Sequence, residues 1–310
     1  MNTQVQKISL AGFLITISGA IFFSTKAIFV KLAFFETKVD ALSLLSLRML
    51  FSLPFYVGAA WMAGRKEETK SLTKKQWIWI MLMGIFGYYL SSLFDFIGLQ
   101  YVSAGLERLI LFLYPTFAVL INTFYFKTKL SRVQIIALVL TYIGIGIAYW
   151  AEIRAAQYGP QFFYGSFMIF LCAITYSFYL VGTGRLVTSV GATRYTAYAM
   201  LTATAGIFIH YLIQQPGGGI LQFNSTLAGY GMALAMIATV LPSFMMSVGM
   251  KKIGSNNVAI ITSIGPVSTI LQAHFFLGES IIAEQIIGTI LVIIGVLLIG
   301  WQSKTAGEPA

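Results

Sequence analysis

Charge is what this chain lacks. Of its 310 residues 10% are charged, where a typical soluble domain carries about 25%, and twenty basic side chains outnumber ten acidic ones. With 58% hydrophobic residues and a mean hydropathy of +0.82, the composition excludes a soluble globular protein and points to a chain that crosses the bilayer many times. Cysteine is nearly absent: Cys172 stands alone in an apolar run, cannot form an intrachain disulfide and reads as a small core residue. No Gly-rich stretch ends in Gly-Lys-Ser or Gly-Lys-Thr, which argues against ATP hydrolysis by this chain. No Asp-x-x-Asp, His-Glu-x-x-His or cysteine pair occurs, so the spacings that a membrane-embedded enzyme needs are missing and no cofactor or metal is implied. The net charge of +10 would fit nucleic acid as a partner, but the placement of the cations accounts for it without one.

What is present is length. Apolar stretches able to span a bilayer cover residues 8–30, 41–62, 77–97, 102–124 and 133–150, then 162–183, 195–213, 227–248, 256–276 and 281–301. The expectation is an all-α membrane protein with ten transmembrane helices and no soluble domain. The first span resembles a signal peptide, with Lys7 ahead of it and Ser18, Gly19 and Ala20 inside. We read it as a retained helix, because Gly12, Ala20 and Ser24 recur as Gly165, Ala173 and Ser177 at an offset of 153. If the N-terminus is cytoplasmic, fourteen cations lie on the inner side (Lys7, Arg65, Lys66, Lys70, Lys74, Lys75, Lys127, Lys129, Arg132, Arg185, Arg194, Lys251, Lys252, Lys304) and three, Lys31, Lys38 and Arg154, on the outer. That bias predicts both termini inside, and all five tryptophans fall at span ends, where an indole suits the headgroup level.

The chain is also internally repeated. Residues 98–150 return as 249–301 at a constant offset of 151, pairing Gly98 with Gly249, Pro115 with Pro266, Gly144 with Gly295 and Trp150 with Trp301. The chain therefore divides into repeats at 1–150 and 151–310, joined by a short linker with Gly159 and Pro160; a second glycine-rich turn, Pro216-Gly217-Gly218-Gly219, follows the seventh span. A unit of five spans must enter the membrane from opposite sides in its two copies, which predicts inverted-topology repeats around a central cavity, an arrangement suited to alternating access. Pro115, Pro242 and Pro266 fall within spans, where a kink can serve a cavity or its gating. Small residues stripe the fifth span (Ala137, Thr141, Gly144, Ala148) and the tenth (Gly288, Gly295). They predict close packing, within the chain or across a homodimer.

The duplicated spans with their prolines, the Leu277-Gly278-Glu279 turn, and Lys31 followed by Leu47-Arg48 resemble the EamA-type transporters of the drug/metabolite transporter superfamily. The resemblance covers nearly the whole chain. It implies a bacterial inner-membrane carrier, often an exporter of amino acids, other small metabolites or drugs, with the first four helices of each half around the cavity. Two departures stand out: Gly265-Pro266 replaces the Glu-Pro often found in the ninth span of the family, and Thr128 is the repeat counterpart of Glu279.

Ionisable groups inside spans cost about 2.5–3.5 kcal/mol each on insertion scales and need a partner, a wet cavity or a route to the interface. The spans hold Lys26, Arg48, Asp95, Glu107 and Arg108 with His210 and His274, all on the outward side under the topology above. The first five have uncharged repeat counterparts: Tyr179, Leu201, Met246, Val258 and Ala259. A nearly symmetric fold with an asymmetric ionic wall suits an asymmetric ligand. Three cations against two carboxylates leave one positive charge, which a substrate carboxylate would balance; Arg48, deepest in its span, is the better bidentate partner. The bland readings stand beside these. Lys26 can snorkel outward, Asp95 and Glu107 can serve as structural counter-ions, His274 can cap a helix end and His210 can sit at the interface. Tyr88 joins Ser91, Ser92 and Asp95 on one stripe, Tyr176 and Tyr179 mark the sixth span, and Thr239, Pro242, Ser243 and Met246 mark the eighth. They predict an aromatic-walled pocket with few polar points, or ordinary packing. A secondary carrier is the leading reading; a passive facilitator and a lipid-modifying enzyme are the alternatives.

Overall fold

A computed structural model describes residues 9–65, 71–126, 131–155, 160–215, 224–253, 258 and 261–305. The helices are α1 (Leu10–Thr37), α2 (Ala41–Gly64), α3 (Lys74–Gly84), π1 (Ile85–Leu90), α4 (Ser91–Leu99), α5 (Ala104–Leu111), α6 (Tyr114–Phe126) and α7 (Arg132–Ala155). They continue as α8 (Pro160–Val190), α9 (Ala192–Gln214), α10 (Ser225–Ala235), π2 (Met236–Val240), α11 (Leu241–Ile253), α12 (Gly265–Gln272), π3 (Ala273–Leu277) and α13 (Ala283–Thr305). Among the described residues eight helices are long and apolar enough to cross a membrane, and Ala283–Leu298 is a shorter apolar helix. The first part of the expected ninth span, with Asn256 and Ala259, lies outside the described residues, as do Gly159 and the 216–219 turn.

Local chemistry explains where helices begin. Ser9, Asp40, Ser103 and Asn224 each accept a backbone N–H from the first turn of the helix that follows, and Thr73 with Gln76 forms a reciprocal capping box at α3. The helix α1 outlasts its hydropathy edge. The sequence places the end near Val30, yet the helix runs to Thr37 and stops at Lys38, whose φ of 51° is the only positive value at a non-glycine among the described residues. Gly278, at φ 69°, makes the corresponding tight exit after π3.

The repeat shows in the irregularities. The segments π1 and π2 lie 151 residues apart, and the two-residue break at Phe112–Leu113 recurs at Ser263–Ile264. The structure revises one expectation here: Pro115 and Pro266 do not kink continuous helices but sit in the first turns of α6 and α12, immediately after these breaks. That position tolerates proline because its missing N–H has no intrahelical acceptor. Pro242 is buried at the start of α11, directly after π2.

Packing repeats as well. The helix α1 lies against α10–π2–α11 and α12, as α8 lies against α3–π1–α4 and the α5–α6 pair; α2 packs on α9 and α10, and α9 packs on α2 and α3. Glycines permit the closest approaches. A Cβ at Gly144 would stand 2.6 Å from the Gly288 carbonyl oxygen, and one at Gly295 would stand 2.7 Å from that of Ala137. The small-residue stripes thus interlock α7 with α13 inside the chain. The outward faces of these two helices carry exposed apolar side chains, such as Ile136, Ile143, Ile287 and Ile290.

Candidate functional site

Four helices of the first half bring their charged residues together. Lys26 of α1 extends its Nζ to 2.7 Å from Asp95 Oδ2 on α4 and 3.6 Å from Glu107 Oε1 on α5. Lys26 therefore turns inward and does not snorkel. Both carboxylates are buried. Ser91, on the same stripe, donates to the Gly87 carbonyl within the π1 turn, so the polar face of α4 looks into protein.

Two guanidiniums flank the triad, Arg48 on the Asp95 side and Arg108 on the Glu107 side. Arg48 is only 6% exposed. Its Cζ lies 5.6 Å from the Phe96 ring centre, while Nε and Nη1 have no hydrogen-bond partner among the described residues. A cation–π contact offsets about 2 kcal/mol when desolvated, less than the several kcal/mol that burying an ion costs. Arg108 lies 5.6 Å from the Phe112 ring centre and occupies space left by a missing side chain: a Cβ at Gly265 would be 2.8 Å from its Nη2.

A wall of four buried or half-buried tyrosines runs from Tyr88 through Tyr179 and Tyr176 to Tyr114. Tyr88 and Tyr179 share a hydroxyl hydrogen bond of 2.8 Å with ring centres 4.9 Å apart. Tyr179 stacks on Tyr176 at 5.7 Å, and Tyr176 meets the edge of Tyr114 at 5.2 Å. Gly87 makes room for the Tyr179 ring, which a Cβ there would strike. The wall ends near Arg48 at Tyr88 and near Arg108 at Tyr114 and Tyr176.

The two ends of the bundle differ. At one end Lys31 Nζ donates to the Val102 carbonyl at 2.6 Å and lies 4.0 Å from Glu279, whose carboxylate accepts from Ala104 N at 3.0 Å and Gly105 N at 3.5 Å. At the other, a groove of about 940 Å³ opens between the latter part of α2 (Pro54, Gly58, Met62), the turn from Ser189 to Arg194, and Phe244.

The sequence profile of the EamA-like transporter family matches residues 10–150 and again 163–301. The chain belongs to this family. EamA-like transporters form part of the drug/metabolite transporter superfamily, and the chain is a multi-pass membrane transporter. It is 31% identical over 292 residues to the uncharacterized transporter YcbK of Bacillus subtilis (strain 168), covering 90% of this chain and 89% of that protein. It is 23% identical over 228 residues to the uncharacterized transporter YyaM of the same organism, with 74% of each covered. A solved crystal structure shares the fold with a TM-score of 0.62 at 17% identity, covering 96% of this chain and 99% of the other.

Within this EamA-like chain not every expected contact residue joins the cluster. Thr239 is the repeat counterpart of Tyr88, but its hydroxyl turns back to the Leu234 carbonyl at 2.8 Å and completes the π2 turn. His274 is exposed, with Nδ1 2.9 Å from the Glu279 carbonyl oxygen. It ties down a helix end. His210 meets the Tyr89 hydroxyl at 2.9 Å. Sequence reasoning missed Tyr114 and the contact of Gly265 with Arg108. The signal was available for one of them: glycine where relatives often carry a carboxylate leaves a place for a cation.

Proposed function

We propose that the chain is a secondary carrier of ten spans built as two inverted halves, 1–150 and 151–310, in the cell (inner) membrane with both termini cytoplasmic. It moves a small amphipathic metabolite bearing a carboxylate, outward, by alternating access. The observation that carries the substrate class is Arg48. Its neighbouring acids are already engaged by Lys26, so its Nε and Nη1, buried and without a hydrogen-bond partner among the described residues, fit a carboxylate supplied by the ligand in a site shielded from water. The tyrosine wall of Tyr88, Tyr179, Tyr176 and Tyr114 gives the apolar body of such a ligand its contact surface, with phenol hydroxyls as polar points.

The inverted arrangement is supported by the paired π segments, the paired breaks, and packing that survives exchange of the halves. Helices interrupted within a span, as at residues 112–113 and 263–264, are what carriers use to place backbone dipoles and charges at a ligand. Protons are the energy source that suits the site, because Asp95 and Glu107 are carboxylates buried within spans beside Lys26 and can exchange a proton there. Uptake and counterflow in proteoliposomes with amino acids, organic acids and nucleosides test this reading. A carboxylate-bearing member of the panel should show saturable uptake and counterflow, both lost in Arg48→Gln while the protein stays monodisperse. Normal handling of that substrate by Arg48→Gln would overturn the site, and uptake without counterflow would make the protein a facilitator.

A further inference from the structure

We infer that Glu279 is a latch that closes one end of the transporter and, through α5, holds the charged site in place. The residue lies in the turn between π3 and α13, in the second half, yet every partner of its carboxylate among the described residues is in the first. It accepts the backbone N–H groups of Ala104 and Gly105 at 3.0 and 3.5 Å and faces the ammonium of Lys31 at 4.0 Å. Lys31 is itself fixed by the Val102 carbonyl at 2.6 Å. An anion at a helix N-terminus meets both unsatisfied N–H groups and the positive end of the macrodipole.

The helix so capped is the one that bears Glu107 and Arg108. It is short, eight residues from Ala104 to Leu111, so its N-terminus and the site lie one turn apart. Its cap Ser103 donates to Glu152 at 2.5 Å, which ties the same corner to α7. At the opposite end of the bundle a groove lies beside Arg194. Glu279 makes its contacts only while its own end is shut. Removing them therefore weakens the shut state alone and shifts the population toward the alternative, in which that end opens and the groove closes. Glu279 is a positioning residue in this scheme, since it reaches a ligand only through α5.

Cysteine accessibility in nanodiscs tests the latch without any substrate, so a wrong ligand class in the reading above leaves the result untouched. In a Cys172→Ala background, one reporter is Ala27→Cys, buried on the α1 face between Ser24 and Lys31. The other is Thr193→Cys, which lines the groove. Glu279→Ala should speed maleimide labelling at position 27 about tenfold or more, the effect of losing a charge-assisted bond from one of two states, and should slow it at position 193. Glu279→Gln, which keeps an acceptor but loses the charge facing Lys31, should fall between. Rates at position 27 within about twofold of the parent would overturn the inference, and so would faster labelling at both positions, which marks general loosening. If Glu279→Ala fails to fold, Glu279→Gln and Lys31→Gln are held to the same two criteria.

Discussion

Lys26→Met keeps the length and most of the volume of the side chain and deletes the ammonium that lies 2.7 Å from Asp95 and 3.6 Å from Glu107. The carboxyl side chains are 2% and 0% exposed, so water cannot replace the lost cation. Breaking a buried pair from one side costs about 3–5 kcal/mol, and the low end applies because Arg48 and Arg108 flank the triad. At about 2 °C per kcal/mol for a chain of this size, the melting midpoint in detergent should fall by about 6 °C. A second change separates charge from packing. Asp95→Asn in the Lys26→Met background removes the acid that was closer to the ammonium and should restore most of the loss; Glu107→Gln should restore less, in keeping with its longer separation. Fluorescence-detected size-exclusion chromatography after heating reads all four proteins. If Lys26→Met melts within about 1 °C of wild type, or if Asp95→Asn fails to rescue it, the triad does not hold the helices together by charge.

Other expectations follow from close approaches and from the carboxyl pair. Gly144→Leu should lower the yield of monodisperse protein sharply, because the obstacle at 2.6 Å is a backbone oxygen, whereas Gly146→Leu, with nothing within 4 Å, should leave it unchanged; equal yields would refute the intrachain role of the stripe. Gly265→Ala meets the mobile end of Arg108, so its melting midpoint should move by less than about 2 °C while KM for the carboxylate substrate rises severalfold. The Asp95→Asn, Glu107→Gln pair should abolish the response of transport to a pH gradient, and His274→Gln should leave that response intact, since His274 lies away from the triad; a wild-type response in the double variant removes proton coupling through these acids.

Much of this was legible in the sequence because it follows from counting. Residues 151 apart adopt the same π segment and the same break, and the stripe through Asp95 faces protein as its spacing requires. The inward turn of Lys26 was not legible: hydropathy cannot distinguish a lysine that reaches the headgroups from one that reaches Asp95. The end of α1 was misplaced for a related reason. Lys31 reads as the edge of an apolar run, but Val102 and Glu279 meet its ammonium, which lets the helix continue seven residues beyond Val30 to Thr37. The π segments left no mark in composition, and nothing in the periodicity of Thr239 shows that its hydroxyl closes a five-residue turn.

Where Gly144 and Gly288 cross, each helix presents a main-chain oxygen to the place where the other would carry a side chain. Mutational drift usually escapes such a constraint by pairing a gain of bulk on one side with a loss on the other. Here both positions already stand at the minimum, and no replacement elsewhere can trim a carbonyl, so neither helix can change at this crossing unless the two axes separate.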